Sequence, residues 1–353
     1  MTLRTLCCCS LLLVASATNL SADATAPLSG ATLPLLLHDS YPLEVSVSFH
    51  AALLHWMDSL AGLNGAGLTA GKTERAYRVQ FQELLGGPTD EDMKQLRDFA
   101  DTRMRFAGKH RNGDVDALTR AFLEGATLEE SLASASELIG REETGVLRTA
   151  LEHFELRYEP VWEEGKIPKR FVERAQRTRK RRAMAKFLVR VADFFGVSPL
   201  QKPYPRVVLV PVVDGAGTHA QAIGRHLLFE IRPWEGLVDE SAPIVHENAH
   251  FLFYRIDRQR RESLQRVAHE MGPRGRTAWR LLLEALPTAI AQGVAYQRFV
   301  PGRWSMDQRW YHIDSVDRYA KRLFPLVKQV LADDGVAFDE AFLRKAVALY
   351  DGQ

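Results

Sequence analysis

Apolar residues recur at three- and four-residue steps through most of the chain from about residue 40 to 200. The stretches VSFHAALLHWMDSLAGL, DMKQLRDFADTRMRFAG, SLASASELIG and GVLRTALEHFELRYEPVW carry that period and are separated by Gly, Pro and Asn breaks, so they predict a succession of helices. Beyond residue 205 the pattern changes. RVVLVPVV and HLLFEIRPW are short runs rich in branched and aromatic residues on either side of DGAGTHAQAIG, and they predict two strands joined by a loop. The expected fold is therefore α+β and predominantly helical, with a helical region over residues 25–200 and a second domain over 201–353 that holds a small β-sheet.

One helix interrupts its own apolar pattern. Residues 244–254 read IVHENAHFLFY, in which His246, Glu247 and His250 stand among Ile244, Val245, Ala249, Phe251, Leu252 and Phe253. Asp239 or Ser241 could cap this helix, and Pro243 suits its first turn. Burying a carboxylate and two imidazoles without partners costs several kcal/mol, and a metal ion is a good partner. Positions i and i+4 share a helix face, so His246 and His250 can aim at one point. In H-E-x-x-H sites the two histidines bind zinc, and the glutamate takes a proton from the water that the metal activates. The five-residue pattern should arise by chance in roughly one or two chains of this length per hundred, so its surroundings must carry the argument.

A catalytic zinc needs a third protein ligand and an open position. Downstream, WRLLLEALPTAIAQGVAYQ places a single acid, Glu284, among Leu281, Leu282, Leu283, Ala285 and Leu286. A carboxylate in that setting needs a partner, either a metal ion or an arginine.

In these residues the chain resembles the gluzincin metallopeptidases, in which a helical H-E-x-x-H is followed by a glutamate on a second helix. HENAH matches the first element and EALPTAIAQG the second, and the likeness extends over about residues 205–330. It implies a zincin-like catalytic domain acting on a peptide or protein, with His246, His250 and Glu284 as zinc ligands and Glu247 as general base. It further implies a sheet-edge strand above the metal, for which residues 226–231 are the candidate. A Tyr or His donor to the oxyanion is also implied; Tyr311 and His312 are the candidates, with Tyr296 and Tyr319 behind them. The chain departs from the gluzincin pattern at two places. Leu283 stands where Asn often precedes the ligand glutamate, and Thr288 stands where thermolysin-like members carry Asp. Pro287 is expected to kink its helix or to mark a start close by.

Length and composition set few further bounds. The 353 residues suffice for one large core or two smaller ones, and 46% hydrophobic with 25% charged residues is ordinary for a globular protein. A net charge of +2 predicts no particular partner. The first 24 residues, MTLRTLCCCSLLLVASATNLSADA, combine Arg4, an apolar run and small-x-small sites, and read as a secretory signal peptide too short to serve as a stable anchor. Export to a periplasm or the extracellular space is expected. Cys7, Cys8 and Cys9 all lie in that segment, so a processed chain would have only His and carboxylate ligands for zinc.

Other signals point to different functions. GAGLTAGKT at residues 65–73 has Ala66 where a phosphate-binding loop requires its first Gly, and it reads as a flexible loop. The run KRFVERAQRTRKRRAMAK, from Lys169 to Lys186, reads as the solvated face of a helix, and no nucleic-acid partner is expected. His50 and His55 are five apart and are assigned to packing. Two alternatives to the zinc hydrolase remain. One is a non-catalytic scaffold of zincin fold whose zinc is closed by a fourth donor such as His269 or His312. The other is a basic-surface binding protein in which H-E-x-x-H is accidental.

Overall fold

The computed structural model describes residues 40–63, 70–107, 117–165, 181–211, 220–231, 241–333 and 335–351. The signal segment with its three cysteines, most of the Gly-rich stretch, the cap candidate Asp239 and residues 169–180 of the basic run lie outside the described residues.

A short strand β1 (Glu44–Val47) leads into the helices α1 (Phe49–Leu60), α2 (Ala70–Leu85), α3 (Asp90–Ala107), α4 (Ala117–Glu124), α5 (Leu128–Ile139), α6 (Arg141–Gly165) and α7 (Arg181–Phe195). The helix starts are locally encoded. Ser48 accepts the Ala51 N–H ahead of α1, and Thr127 accepts that of Glu130 ahead of α5. Strands β2 (Arg206–Pro211), β3 (Ala220–Ile223) and β4 (His226–Ile231) follow. The chain closes with α8 (Ser241–Arg255), α9 (Arg258–Glu270), α10 (Gly272–Thr288), a π-helical stretch (Ala289–Ala295), α11 (Tyr296–Phe299), α12 (Asp314–Ala332) and α13 (Glu340–Leu349). Among the described residues the protein is thus mostly helical with one small mixed sheet, as the sequence pattern predicts. Among the described residues no helix is long and apolar enough to cross a membrane.

The sheet has four strands in the order β1-β2-β4-β3. β1 and β4 both pair in parallel with β2, and β3 pairs antiparallel with β4 through a turn at Gly224. Two expectations are corrected here. The two predicted strands are not joined by a simple loop, because the intervening segment contains β3. Residues 226–231 are also not an edge: β4 has a neighbour on each side, and the edge beside it is β3. Helix α8 packs against β3 and β4, while α1 packs on β2. A single apolar cluster runs from Tyr41 to Tyr350 and includes both α7 and the sheet. β1, which lies in the helical N-terminal region, supplies a strand to the same sheet.

Polar groups in this core are paired. His55 Nε2 on α1 lies 2.7 Å from Glu230 Oε1 on β4, so the residue that packing alone was expected to explain also carries a buried polar contact across the sheet. Arg103 holds Asp58 with two hydrogen bonds, of 2.8 and 2.5 Å, and all four partners of these two pairs are buried. Such pairs add little net stability, but removing one member strands its partner in a low dielectric.

Exceptions are Trp56 Nε1, Asn248 Nδ2 and, at the start of β4, His226, whose Nε2 lies 3.5 Å from Glu124 Oε1. This histidine is fully buried, and neither ring nitrogen has a hydrogen-bond partner among the described residues. Burial, reinforced by the charges of Arg225, Arg206 and Arg120, pushes its pKa from 6.5 down to about 3. Above pH 6.5 the ring is neutral in both folded and unfolded chains. As pH falls from 6.5 toward 3, the unfolded chain takes up a proton that the folded chain refuses, so stability is lost. The expected loss from this residue is about 2 kcal/mol between pH 6.5 and 5. Denaturant midpoints at pH 7 and pH 5 should therefore separate less in His226→Leu than in the wild type. Equal separations would show that another group governs the acid response.

Candidate metal centre

Helix α8 brings His246 and His250 to one face, as their spacing requires, and Nε2 of the two rings lie 3.1 Å apart. Glu284, near the C-terminal end of α10, places Oε2 3.5 Å from His246 Nε2 and 3.4 Å from His250 Nε2. For an ion bound at about 2.0–2.1 Å, the edges of a tetrahedron are about 3.3–3.4 Å, so these three atoms are spaced as ligands of one ion would be. The three residues form a group that could hold a metal ion, and no other such cluster occurs among the described residues. Two imidazoles and a carboxylate suit a borderline divalent ion.

Exposure differs around the group. The histidine side chains are each 12% exposed, whereas Glu284 is 40% exposed, so the centre opens to solvent on the glutamate side. Burial opposes charge on His250, but the hydrogen bond and charge of Glu284, with the charge of Glu247, outweigh it and hold its pKa above the ordinary imidazole value. Burial likewise opposes ionisation of Glu284, and the two histidines reverse that and hold its pKa far below the usual carboxylate range. Glu247 follows His246 on α8 and is 7% exposed.

Tyr311 reaches the centre from the loop before α12. Its hydroxyl donates to Glu284 Oε2 at 3.0 Å, and its ring lies parallel to His246, with centroids 6.0 Å apart at 16°. Burial, then the carboxylates of Glu284 and Glu247, push its pKa well above that of a free phenol, so it remains a donor. His312 is exposed, stacks on Tyr311 with centroids 4.6 Å apart and is not a member of the donor group. His269 is likewise exposed on α9 and outside the group. Of the two residues expected behind them, Tyr296 is half-buried at the start of α11, and Tyr319 is buried with its hydroxyl on the Ala346 carbonyl and its ring on Tyr350. Tyr319 is therefore a packing residue.

The helix carrying Glu284 does not stop at Pro287. That proline lies inside α10, and although it has no N–H to give to Leu283, the backbone continues past it into the seven-residue π-helical stretch Ala289–Ala295 and then α11. Thr288, in the place where thermolysin-like members carry Asp, donates its hydroxyl to the Glu284 carbonyl at 2.8 Å. The π-helical stretch packs on α8 and α12. A β-carbon on Gly293 would come within 2.6 Å of the Phe324 ring, so glycine permits this close approach. Trp304, Trp310 and Phe324 form an aromatic cluster there, and Trp304 Nε1 donates to the Gln292 carbonyl at 2.9 Å.

On the far side of α8, Asn248 is fully buried and accepts a hydrogen bond of 2.7 Å from Tyr41, just ahead of β1. Asn248 Nδ2 has no partner among the described residues. This contact ties the first described residues to the motif helix, and no spacing in the sequence announces it.

A scan against protein-family models found no match, and comparisons with curated proteins and with solved structures found none either.

Proposed function

We propose that the protein is a zinc-dependent hydrolase of zincin type, with peptides or proteins as substrates, that works after export to a periplasm or the extracellular space. The observation that carries this reading is the convergence of His246, His250 and Glu284 at ligand spacing, with Glu247 on the same helix. The export reading rests on Arg4, the apolar run and the small-residue sites at the start of the chain.

In this reading His246 and His250 would hold a zinc ion from one helix face and Glu284 would supply the third ligand. Zinc, when bound, supplies a Lewis acid that polarises a substrate carbonyl and lowers the pKa of water toward neutrality. Glu247, a buried carboxylate on the same helix as the two imidazoles, would accept a proton from the attacking water and return it to the leaving amine. Tyr311, a protonated phenol beside the centre, would donate a hydrogen bond to the carbonyl oxygen as it gains charge by turning its hydroxyl from Glu284, an interaction commonly worth about 3 kcal/mol. The exposed side of the centre, at Glu284, is where substrate approaches.

Elemental mass spectrometry of the purified protein, after dialysis against a weak chelator, tests the first step. About one zinc per chain is expected for such a site, and the loaded protein should cleave members of a mixed peptide library. A well-folded chain that takes up no zinc even when the metal is resupplied would end the hydrolase reading.

A further inference from the structure

We propose that Asp317 is a positioning residue of the metal centre, acting through the loop backbone to hold Tyr311 against Glu284. The proposal rests on the metal-centre reading above. Asp317 lies in the first turn of α12 and is 8% exposed. An acid near a helix start ordinarily needs no explanation beyond the helix dipole. Here, Asp317 Oδ1 reaches back to accept the N–H groups of Trp310 at 2.6 Å and Tyr311 at 3.0 Å. Two successive amides on one oxygen fix the peptide plane between those residues and with it the direction in which the Tyr311 side chain leaves the backbone.

The remaining oxygen of Asp317 is also occupied, since Oδ2 lies 2.9 Å from Lys321 Nζ one turn along α12. Burial opposes charge on this carboxyl, but Lys321 and the two amides outweigh it and lower its pKa, so the acceptor stays ionised. Trp310 anchors the same peptide from the other side, buried against Phe324 and Trp304. The result is a short chain of contacts from Asp317 through the Tyr311 backbone and hydroxyl to a metal-ligand candidate. Arg309 also bonds the carbonyls of Tyr311 and His312, but that guanidinium is exposed and such contacts contribute little.

The test is a double-mutant cycle on zinc affinity, with hydrogen exchange as a metal-free measurement. Asp317→Ala should weaken zinc binding about tenfold, at the low end of losses seen when a group orienting a ligand is removed. Tyr311→Phe should do about the same. If Asp317 acts through Tyr311, the double mutant should bind no more weakly than Tyr311→Phe alone. Asp317→Asn keeps an acceptor oxygen and should recover most of the affinity. If the alanine variant fails to fold, Asp317→Ser, whose hydroxyl is too short to hold both amides, takes its place in the cycle. Amides of residues 305–313 should exchange faster in Asp317→Ala with the rest of the chain unchanged. Additive losses in the cycle, or unchanged affinity despite faster exchange, would overturn the positioning role. Unchanged exchange would overturn the clamp itself. A wild type that binds no zinc would overturn the metal reading and the positioning role together, and the exchange data would still report separately on the clamp.

Discussion

Replacing Glu284 by alanine should empty the metal centre and leave the fold intact. The residue is one of the three that could hold an ion, and its carboxylate oxygen lies 3.4–3.5 Å from Nε2 of both imidazoles. Losing even an outer partner of a ligand commonly weakens metal binding by about 10–100-fold, and loss of a ligand should exceed that range. Stability should change little, because Glu284 is 40% exposed and its removal opens no core cavity. The neighbouring Thr288 hydroxyl bonds the backbone carbonyl of residue 284, which the substitution keeps. Zinc content after dialysis, measured beside the thermal midpoint, separates the possibilities. Zinc lost with the midpoint kept establishes Glu284 as a ligand. Zinc fully retained would mean that other donors close the site, the arrangement expected of a structural zinc, and His312 would then be the first residue to replace.

The reason Glu284 stood out in the sequence is physical. A lone acid inside WRLLLEALPTAIAQGVAYQ, like two histidines and a glutamate inside IVHENAHFLFY, contradicts the burial preference of its surroundings, and a contradiction of that kind demands a partner. Helices were legible for a related reason: an amphipathic period of 3.6 is written locally. The sheet was not. β3 is four residues, AQAI, with two alanines and a glycine turn after it, so it carries none of the branched-residue signal of β2 and β4. Whether β4 lies inside the sheet or at its edge depends on β3, and the β1–β2 pairing joins Glu44 to Arg206 across the whole helical region. Asp317 was hidden differently. Acids in the first turn of a helix are common, and only the folded loop reveals that this one holds the amides of Trp310 and Tyr311. Pro287 predicts a kink or a nearby helix start, and the start is excluded: the helix runs through it, and α10 and the π-helical stretch pack against α8 and α12 on either side.

Replacing Glu247 by glutamine should abolish turnover while keeping the metal. The substitution preserves size and hydrogen-bonding shape at a position that is 7% exposed, so packing is retained. It also removes a charge that raises the pKa of both His250 and Tyr311. Neither effect takes a donor from the three-residue group, so zinc content should match that of the wild type. An amide cannot accept the proton that a water molecule must lose, and loss of a general acid–base group costs about 10²–10⁴-fold in rate. The direction for folding is neutral or slightly favourable, because a buried carboxylate is replaced by a neutral group of the same shape. The measurements are peptide cleavage and zinc content on the same preparation. Cleavage lost with zinc kept assigns proton transfer to Glu247. Cleavage retained would exclude it as the base and move the search to other acids that can reach the centre. Zinc lost together with cleavage would mean that Glu247 supports the ion directly, and the three-donor description of the site would have to be enlarged.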